Sequence, residues 1–307
     1  MLGGKDILTT EQLTREELEE ILRVTERFDE ALSRRQALGH MEGLIMAALF
    51  FEPSTRTRLS FESAMQRLGG SVINVADAKT SSAAKGETLS DAISVIQSYC
   101  DVIVIRHPDI GSAEEAARAS EVPVINGGDG SGQHPTQALL DMYTIKKEKG
   151  RMEGLTVSLV GDLKHGRTVH SLVYLLALYG NSVKLVSPES LAMPGYIRET
   201  LAARGADIEE VEDLGAVAGV SDVIYVTRVQ KERFQDLAEY ERVKGAYVVN
   251  ADLAGRSKEG VTIMHPLPRV DEIAVDTDGY SGAAYFRQAA NGVPTRMALL
   301  AMVTGRA

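Results

Sequence analysis

The chain has 307 residues, 44% hydrophobic and 25% charged, which is enough apolar material for two domains of about 150 residues each and excludes a disordered or fibrous protein. Its formal net charge of −10 makes it a poor general binder of nucleic acid or anionic membrane, so any anion site must be a local cluster of Arg, Lys and His. The single cysteine, Cys100, excludes an intrachain disulfide, and the amino-terminal stretch lacks a secretory apolar region, so a cytoplasmic location is expected.

Apolar runs of strand length alternate with amphipathic stretches along the chain. The first series of strands is read at 44–51, 72–75, 102–105 and 122–125, with helices at 88–99 and 112–119 between them. The longest of these runs, 44–51, is too short to span a bilayer. A glycine-rich loop at 127–132 closes the series, and a helix at 135–149 leads onward. The second series is read at 156–160, 182–186, 223–226 and 247–249, and a last helix at 284–303. Continuous apolar strands between helices predict parallel sheets covered on both faces. The expected fold is α/β: two doubly wound parallel-sheet domains joined by interdomain helices. The first would span residues 1–134, with the carboxyl-terminal helix 290–307 packing back on it, and the second 135–289.

In an open parallel sheet, ligands bind beyond the carboxyl ends of the strands. Polar residues that directly follow apolar strands are therefore the candidates. After the first strand comes Ser54-Thr55-Arg56-Thr57-Arg58, at the start of a helix whose apolar spacing begins at Leu59 and Phe61. Free backbone N–H groups, hydroxyls and a guanidinium converge there, as a phosphate dianion requires. An ordinary Ser/Thr cap would also fit, but it would not need two hydroxyls and two arginines in five residues, and Arg58 also suits a structural ion pair. Arg106 and His107 follow the strand at 102–105, and an arginine in that position is better explained by a ligand than by packing. His134 and Gln137 start the linking helix, with Pro135 suited to its first turn. His134 taken alone would be a satisfied structural histidine; its neighbours make the case for it.

In the second series, 161–168 follows a strand where a dinucleotide fingerprint would lie, but it has no Gly-x-Gly-x-x-Gly. Arg167 stands in that position instead. Arg228 and Gln230 follow the strand at 223–226. His265-Pro266-Leu267-Pro268 follows 261–264, and its two prolines stiffen a segment whose carbonyls can face a ligand. His165 and His170 are five apart and share no helix face, so no metal site and no cofactor is expected. Cys100 reads as inert core, and the acidic run at 16–20 as a solvated helix face. The inventory is arginines, histidine, lysine and hydroxyls without a nucleophile. That suits transfer between two anionic substrates by positioning and charge stabilisation.

Taken together, Ser54-Thr55-Arg56-Thr57-Arg58, Arg106-His107-Pro108, His134-Pro135-x-Gln137 and His265-Pro266-Leu267-Pro268 resemble the aspartate/ornithine carbamoyltransferase family. The motifs occur in family order over nearly the whole chain. The aspartate branch is the closer one: Pro266 stands where the ornithine branch usually carries Cys, and Arg167 and Arg228 suit an acceptor with two carboxylates. The resemblance implies carbamoyl transfer from carbamoyl phosphate to L-aspartate in pyrimidine biosynthesis, with no cofactor. It makes 1–134 the carbamoyl phosphate domain and 135–289 the aspartate domain. Ser54, Thr55, Arg56, Thr57 and Arg106 would hold the phosphate. Thr57, Arg106 and His134 would meet the carbamoyl oxygen. Gln137 and the carbonyls of Pro266 and Leu267 would bind the amine groups, and Arg167, Arg228 and Gln230 the aspartate carboxylates. The polar loop 79–88 resembles one that enters the neighbouring subunit's site, with Ser81 (Ser82 is one register step away) and Lys85 on its functional positions. A homotrimer with shared sites is therefore implied, with separate regulatory chains as a further partner. Three rivals remain: a carbamoyltransferase for ornithine or a polyamine, a nucleotide-binding α/β protein (an oxidoreductase or a non-catalytic one), and an inactive regulatory or scaffold protein of the same family. The missing glycine fingerprint opposes the second. The full arginine set opposes the third.

Overall fold

The structure is a computed structural model and describes residues 2–75, 86–230, 234 and 236–307. It divides into two compact units. Unit 1 is Met1–Tyr143 with Asn291–Ala307, and unit 2 is Thr144–Ala290.

Unit 1 begins with α1 (Arg15–Ser33), started by a capping box in which the Thr14 hydroxyl accepts the Glu17 N–H and the Glu17 carboxylate accepts the Thr14 N–H. There follow β1 (Ile45–Phe50), α2 (Thr55–Arg67), β2 (Ser71–Val75), α3 (Leu89–Ile96), β3 (Val102–His107), α4 (Ser112–Arg118), β4 (Val124–Asp129) and α5 (Pro135–Lys149). The four strands are all parallel, in the order β2-β1-β3-β4. Alternate residues of the central strands, Ala47, Leu49, Ile103 and Ile105, pack with Ile93 of α3 and Ala113 and Ala116 of α4. Cys100 lies in the same cluster, and burial pushes its thiol up to about 11. The fourth strand departs from the sequence reading: it continues through Gly127 and Gly128, which were expected in a loop. The side chains of Asn126 and Asp129 hold that stretch, accepting the N–H groups of Gly128 (2.7 Å), Gly111 (2.9 Å) and Gln133 (2.8 Å).

Unit 2 takes over within α5 and contains β5 (Thr156–Val160), α6 (Arg167–Leu178), β6 (Ser182–Val186), α7 (Gly195–Ala203), β7 (Ile208–Val211), α8 (Leu214–Ala218), β8 (Val223–Val226), α9 (Leu237–Val243), α10 (Ala251–Arg256), β9 (Thr262–Met264) and the start of α11 (Tyr285–Val303). The remainder of α11 belongs to unit 1. The five strands are again all parallel, ordered β7-β6-β5-β8-β9. Residues 247–249 are not the strand the sequence suggested. Only Val249 forms a bridge, to Ile273, through two backbone bonds of 2.9 Å with Glu272 and Ala274. The edge strand beside β8 is β9, whose three residues are all buried. Where α5 ends and α11 begins, Arg287 grips Glu148 with two bonds, 2.7 and 2.8 Å.

Both sheets share one topological consequence. The chain runs outward from the central strand, then returns to its other side, so each sheet has a switch point: β1/β3 in unit 1 and β5/β8 in unit 2. A crevice opens at the strands' carboxyl ends there. Among the described residues, no helix is long and apolar enough to cross a membrane.

Candidate active site

The switch point of unit 1 brings together the ends of β1 and β3. Phe50 stands opposite Arg106 in the ladder, and the Phe51 N–H continues it to the Arg106 carbonyl at 2.8 Å. Thr55, Arg56 and Thr57 are the first three residues of α2. This helix start differs from that of α1. The Ser54 side chain makes no cap bond, and the first turn of α2 holds no acidic residue, where α1 has Glu16 and Glu17. The first turn thus supplies no carboxylate of its own to the positive end of the helix dipole, which suits it to an anion. Arg56 is exposed and Thr57 buried. Arg58 lies 3.6 Å from Glu62 one turn on, the ion pair that its position allowed.

Arg106 sits at a bulge. Between Ile105 and His107 the register against β4 shifts, and the Arg106 guanidinium donates to the Gly127 carbonyl at 3.1 Å. It also lies 3.0 Å from Glu52, and the two side chains are only 10% and 22% exposed. His107, the last residue of β3, faces Phe51 edge-on at 5.5 Å, and its Nδ1 accepts the Asp109 N–H at 3.1 Å. His134 is buried and immediately precedes α5; its carbonyl accepts the Gln137 and Ala138 N–H groups. Gln137, also buried, donates its amide N–H to Asp141 at 2.9 Å, which identifies the amide group's nitrogen end and leaves its oxygen as an acceptor. Behind it lies Arg296, 3% exposed, bonded to the Ser60 hydroxyl at 2.8 Å and stacked 5.0 Å from the Phe61 ring. Burial pulls the Arg296 guanidinium down to about 10, with Asp141 opposing it.

The switch point of unit 2 joins the ends of β5 and β8. Gly161 has φ of +114°, and a Cβ there would sit 2.2 Å from the Thr227 carbonyl, so only glycine permits this approach. The Thr227 N–H and hydroxyl both reach the Val160 carbonyl, at 2.8 and 3.1 Å. Asp162, fully buried, accepts the His165 N–H (3.0 Å) and the Gln230 N–H (3.4 Å). The Gln230 side chain donates to the His165 carbonyl at 3.0 Å. Gln230 thus fastens the two strand-end loops to each other. Arg167 opens α6 and Arg228 follows β8, both partly buried. Beside Arg228 lies a cavity of about 200 Å³, also lined by Tyr240, Lys244, Tyr247, Asp271 and Glu272. Pro266 and Leu267 follow β9, and Leu267 has φ of +57°.

The structure therefore brings Ser54, Thr55, Arg56 and Thr57 to the same switch point as Arg106, and Arg167 to the same switch point as Arg228 and Gln230. Ser81 and Lys85 lie outside the described residues. Sequence reasoning passed over Glu52, Asp141, Asp162, Glu272 and Arg296. Glu52 and Asp162 carried a readable signal, since each follows an apolar strand as the arginines do. Among the described residues, no group of three or more His, Cys, Asp or Glu could hold a metal ion.

Two family models match the chain. One, described as aspartate/ornithine carbamoyltransferase, carbamoyl-P binding domain, covers residues 5–147; the other, described as aspartate/ornithine carbamoyltransferase, Asp/Orn binding domain, covers 153–303. A Thermococcus gammatolerans protein named aspartate carbamoyltransferase catalytic subunit is 54% identical over 303 residues, covering 99% of this chain and 98% of its own. The Methanopyrus kandleri protein of the same name is 52% identical over 304 residues, covering 99% and 98%. Among solved structures, aspartate transcarbamoylase from Trypanosoma cruzi in complex with carbamoyl phosphate and aspartate superposes with a TM-score of 0.94 at 42% identity, over 98% of this chain and 97% of that one. The catalytic subunit of M. jannaschii aspartate transcarbamoylase gives 0.88 at 50% identity, over 96% of each.

Proposed function

Because the chain belongs to the aspartate/ornithine carbamoyltransferase family, we infer that it transfers the carbamoyl group of carbamoyl phosphate to the α-amine of L-aspartate, giving N-carbamoyl-L-aspartate and phosphate. The product serves pyrimidine biosynthesis. The observation that carries the reading is the distribution of cationic groups over two switch points: Arg56 and Arg106 in unit 1, Arg167 and Arg228 in unit 2. One anion end is served in each unit, as a phosphate donor and a dicarboxylate acceptor require. Ornithine, which brings an extra amino group in place of the second carboxylate, would want acidic partners.

The residue roles are those that the family resemblance implies. Ser54, Thr55, Arg56, Thr57 and the α2 N–H groups hold the phosphate. The neutral α-amine of aspartate attacks the carbonyl carbon, and the oxyanion that forms is met by donors from Thr57, Arg106 and His134. The Gln137 amide oxygen and the Pro266 and Leu267 carbonyls accept from the amine groups. Arg167 and Arg228 hold the two carboxylates, with Gln230 beside them. The C–O bond to phosphate breaks, and the departing phosphate takes the amine proton. The enzyme works in the cytoplasm as a homotrimer, in which Ser81 and Lys85 complete a neighbouring chain's site. The relatives' designation as catalytic subunits supports separate regulatory chains as partners.

The test is direct. Purified protein given carbamoyl phosphate should form N-carbamoyl-L-aspartate from aspartate and no citrulline from ornithine. Citrulline formation, or no product with either amine, would refute the reading.

A further inference from the structure

His265 follows β9 and directly precedes Pro266 and Leu267. It is 1% exposed, and its backbone N–H is held by the Gln288 side chain at 2.8 Å. Both ring nitrogens are engaged. Nδ1 accepts the Leu267 backbone N–H at 2.8 Å, and Nε2 lies 2.7 Å from a Glu272 carboxylate oxygen. A backbone amide can only donate, so Nδ1 carries no proton. The ring proton therefore sits on Nε2 and is donated to Glu272. The charged groups around the ring agree with a neutral imidazole. Burial pulls its pKa down; Glu272 opposes that, while Arg228 and Arg269 add to it. Burial pulls the Glu272 carboxyl up, but its bonds to His265 and to the Val270 N–H outweigh this and keep it ionised. The second Glu272 oxygen accepts the Val270 and Asp271 N–H groups at 3.2 and 3.1 Å, so the carboxylate is itself fixed.

Leu267 explains why such a device is needed. Its φ of +57° is left-handed, a conformation that an L-residue with a bulky side chain rarely adopts. Left to itself, the backbone would relax and carry the Pro266 and Leu267 carbonyls with it. The His265 Nδ1 acceptor ties down the Leu267 N–H and so holds this backbone in place.

We propose that His265 is a positioning residue for carbamoyl transfer: oriented by Glu272, it locks the Leu267 backbone and so fixes where the Pro266 and Leu267 carbonyls meet the reacting amine groups. The inference rests on the function proposed above and deepens it. His265 touches no substrate and acts only through the backbone of its neighbours.

Two amide substitutions separate this role from plain burial. The Asn oxygen falls near the imidazole Nδ1 and the Gln nitrogen near Nε2. His265→Asn therefore keeps the acceptor for Leu267 and loses Glu272, whereas His265→Gln keeps Glu272 and loses Leu267. His265→Gln should lower kcat about 100-fold, the effect of a misplacement on the order of 1 Å at the reacting atoms, while His265→Asn stays within about tenfold of wild type. Inorganic phosphate binding, measured by calorimetry, should be unchanged in both. Equal losses that track thermal stability, or a worse Asn than Gln variant, would overturn the proposal. Glu272 carries the same test if neither His265 variant folds. Glu272→Gln still accepts from Nε2 and should stay within about tenfold, while Glu272→Ala frees the ring and should lose about 100-fold in kcat. A Glu272→Gln enzyme as impaired as Glu272→Ala would mean a charged imidazolium and sink the argument. A wild-type protein that forms no N-carbamoyl-L-aspartate refutes the function itself; an active wild type with an unimpaired His265→Gln variant refutes only this inference.

Discussion

Replacing Arg106 by alanine removes a charge from the reaction and a partner from Glu52 in one step, and the two effects have different sizes and different remedies. As an oxyanion donor, Arg106 should be worth about 100-fold to 1,000-fold in kcat. As a structural group, it makes a 3.0 Å contact with Glu52 and a 3.1 Å bond to the Gly127 carbonyl, with both charged side chains mostly shielded from water. Losing a hydrogen bond to a charged group of this kind costs about 2 kcal/mol of stability, largely because Glu52 is left without that partner. The double variant Arg106→Ala/Glu52→Gln deletes that stranded charge. Its stability, from urea unfolding, should return to within about 1 kcal/mol of wild type, since replacing both partners costs much less than replacing one. Its turnover, from N-carbamoyl-L-aspartate formation at saturating substrates, should remain at least about 100-fold low. If Glu52→Gln restored turnover together with stability, or if Arg106→Ala kept more than a tenth of wild-type kcat, Arg106 would be a scaffold residue and the oxyanion assignment would fall.

Arg167→Ala and Arg228→Ala should each raise the KM for aspartate roughly tenfold to 150-fold, the worth of one charged hydrogen bond, and leave phosphate binding unchanged; weaker phosphate binding with unaltered aspartate dependence would refute the assignment of donor and acceptor to separate units. The bond from Arg269 holds the Asp278 carboxyl down at about 2, with Tyr285 adding to it. Its folded pKa is depressed, so the stabilisation is full above the usual carboxyl range near about 3.9 and lost as pH falls through about 2. Asp278→Asn should therefore lose less stability than wild type between pH 4 and pH 2, and parallel acid limbs in urea titrations would contradict this. Lys85→Ala and Arg106→Ala chains, each inactive alone, should regain a minority of activity when assembled as hybrids, because some sites then draw an intact loop and an intact pocket from different chains. Verified hybrids as inactive as their parents would show that Lys85 serves its own chain or none.

What could be read from the sequence depended on whether the signal was local. The central strands were legible because they are buried on both faces and continuously apolar, and the strand-end arginines stood out against them. The edge strand β7 was not, because Ile-Glu-Glu-Val with its two middle residues exposed looks like surface. Residues 247–249 look apolar enough for a strand, yet only Val249 pairs its backbone, with Glu272 and Ala274, a choice set by distant residues. Glycine-rich 127–129 reads as loop until the Asn126 and Asp129 side chains are seen to hold it in the ladder. The same limit applies to the site. Asp162 bonds the Gln230 backbone, 68 residues away in sequence, and nothing local announces that pairing.

The split of unit 1 between 1–143 and 291–307 has a consequence for how the molecule is made. Val293 is only partly buried, but Met297, Ala298, Leu299, Leu300 and Ala301 are fully enclosed, so the core of unit 1 needs residues that leave the ribosome after the whole of unit 2. The early-synthesised stretch waits with part of its apolar surface open, whereas unit 2 can complete itself in one pass. Within unit 2, Arg287 at the start of α11 bonds Glu148 at the end of α5. Completing unit 1 therefore means closing a loop as long as unit 2, at the very end of synthesis.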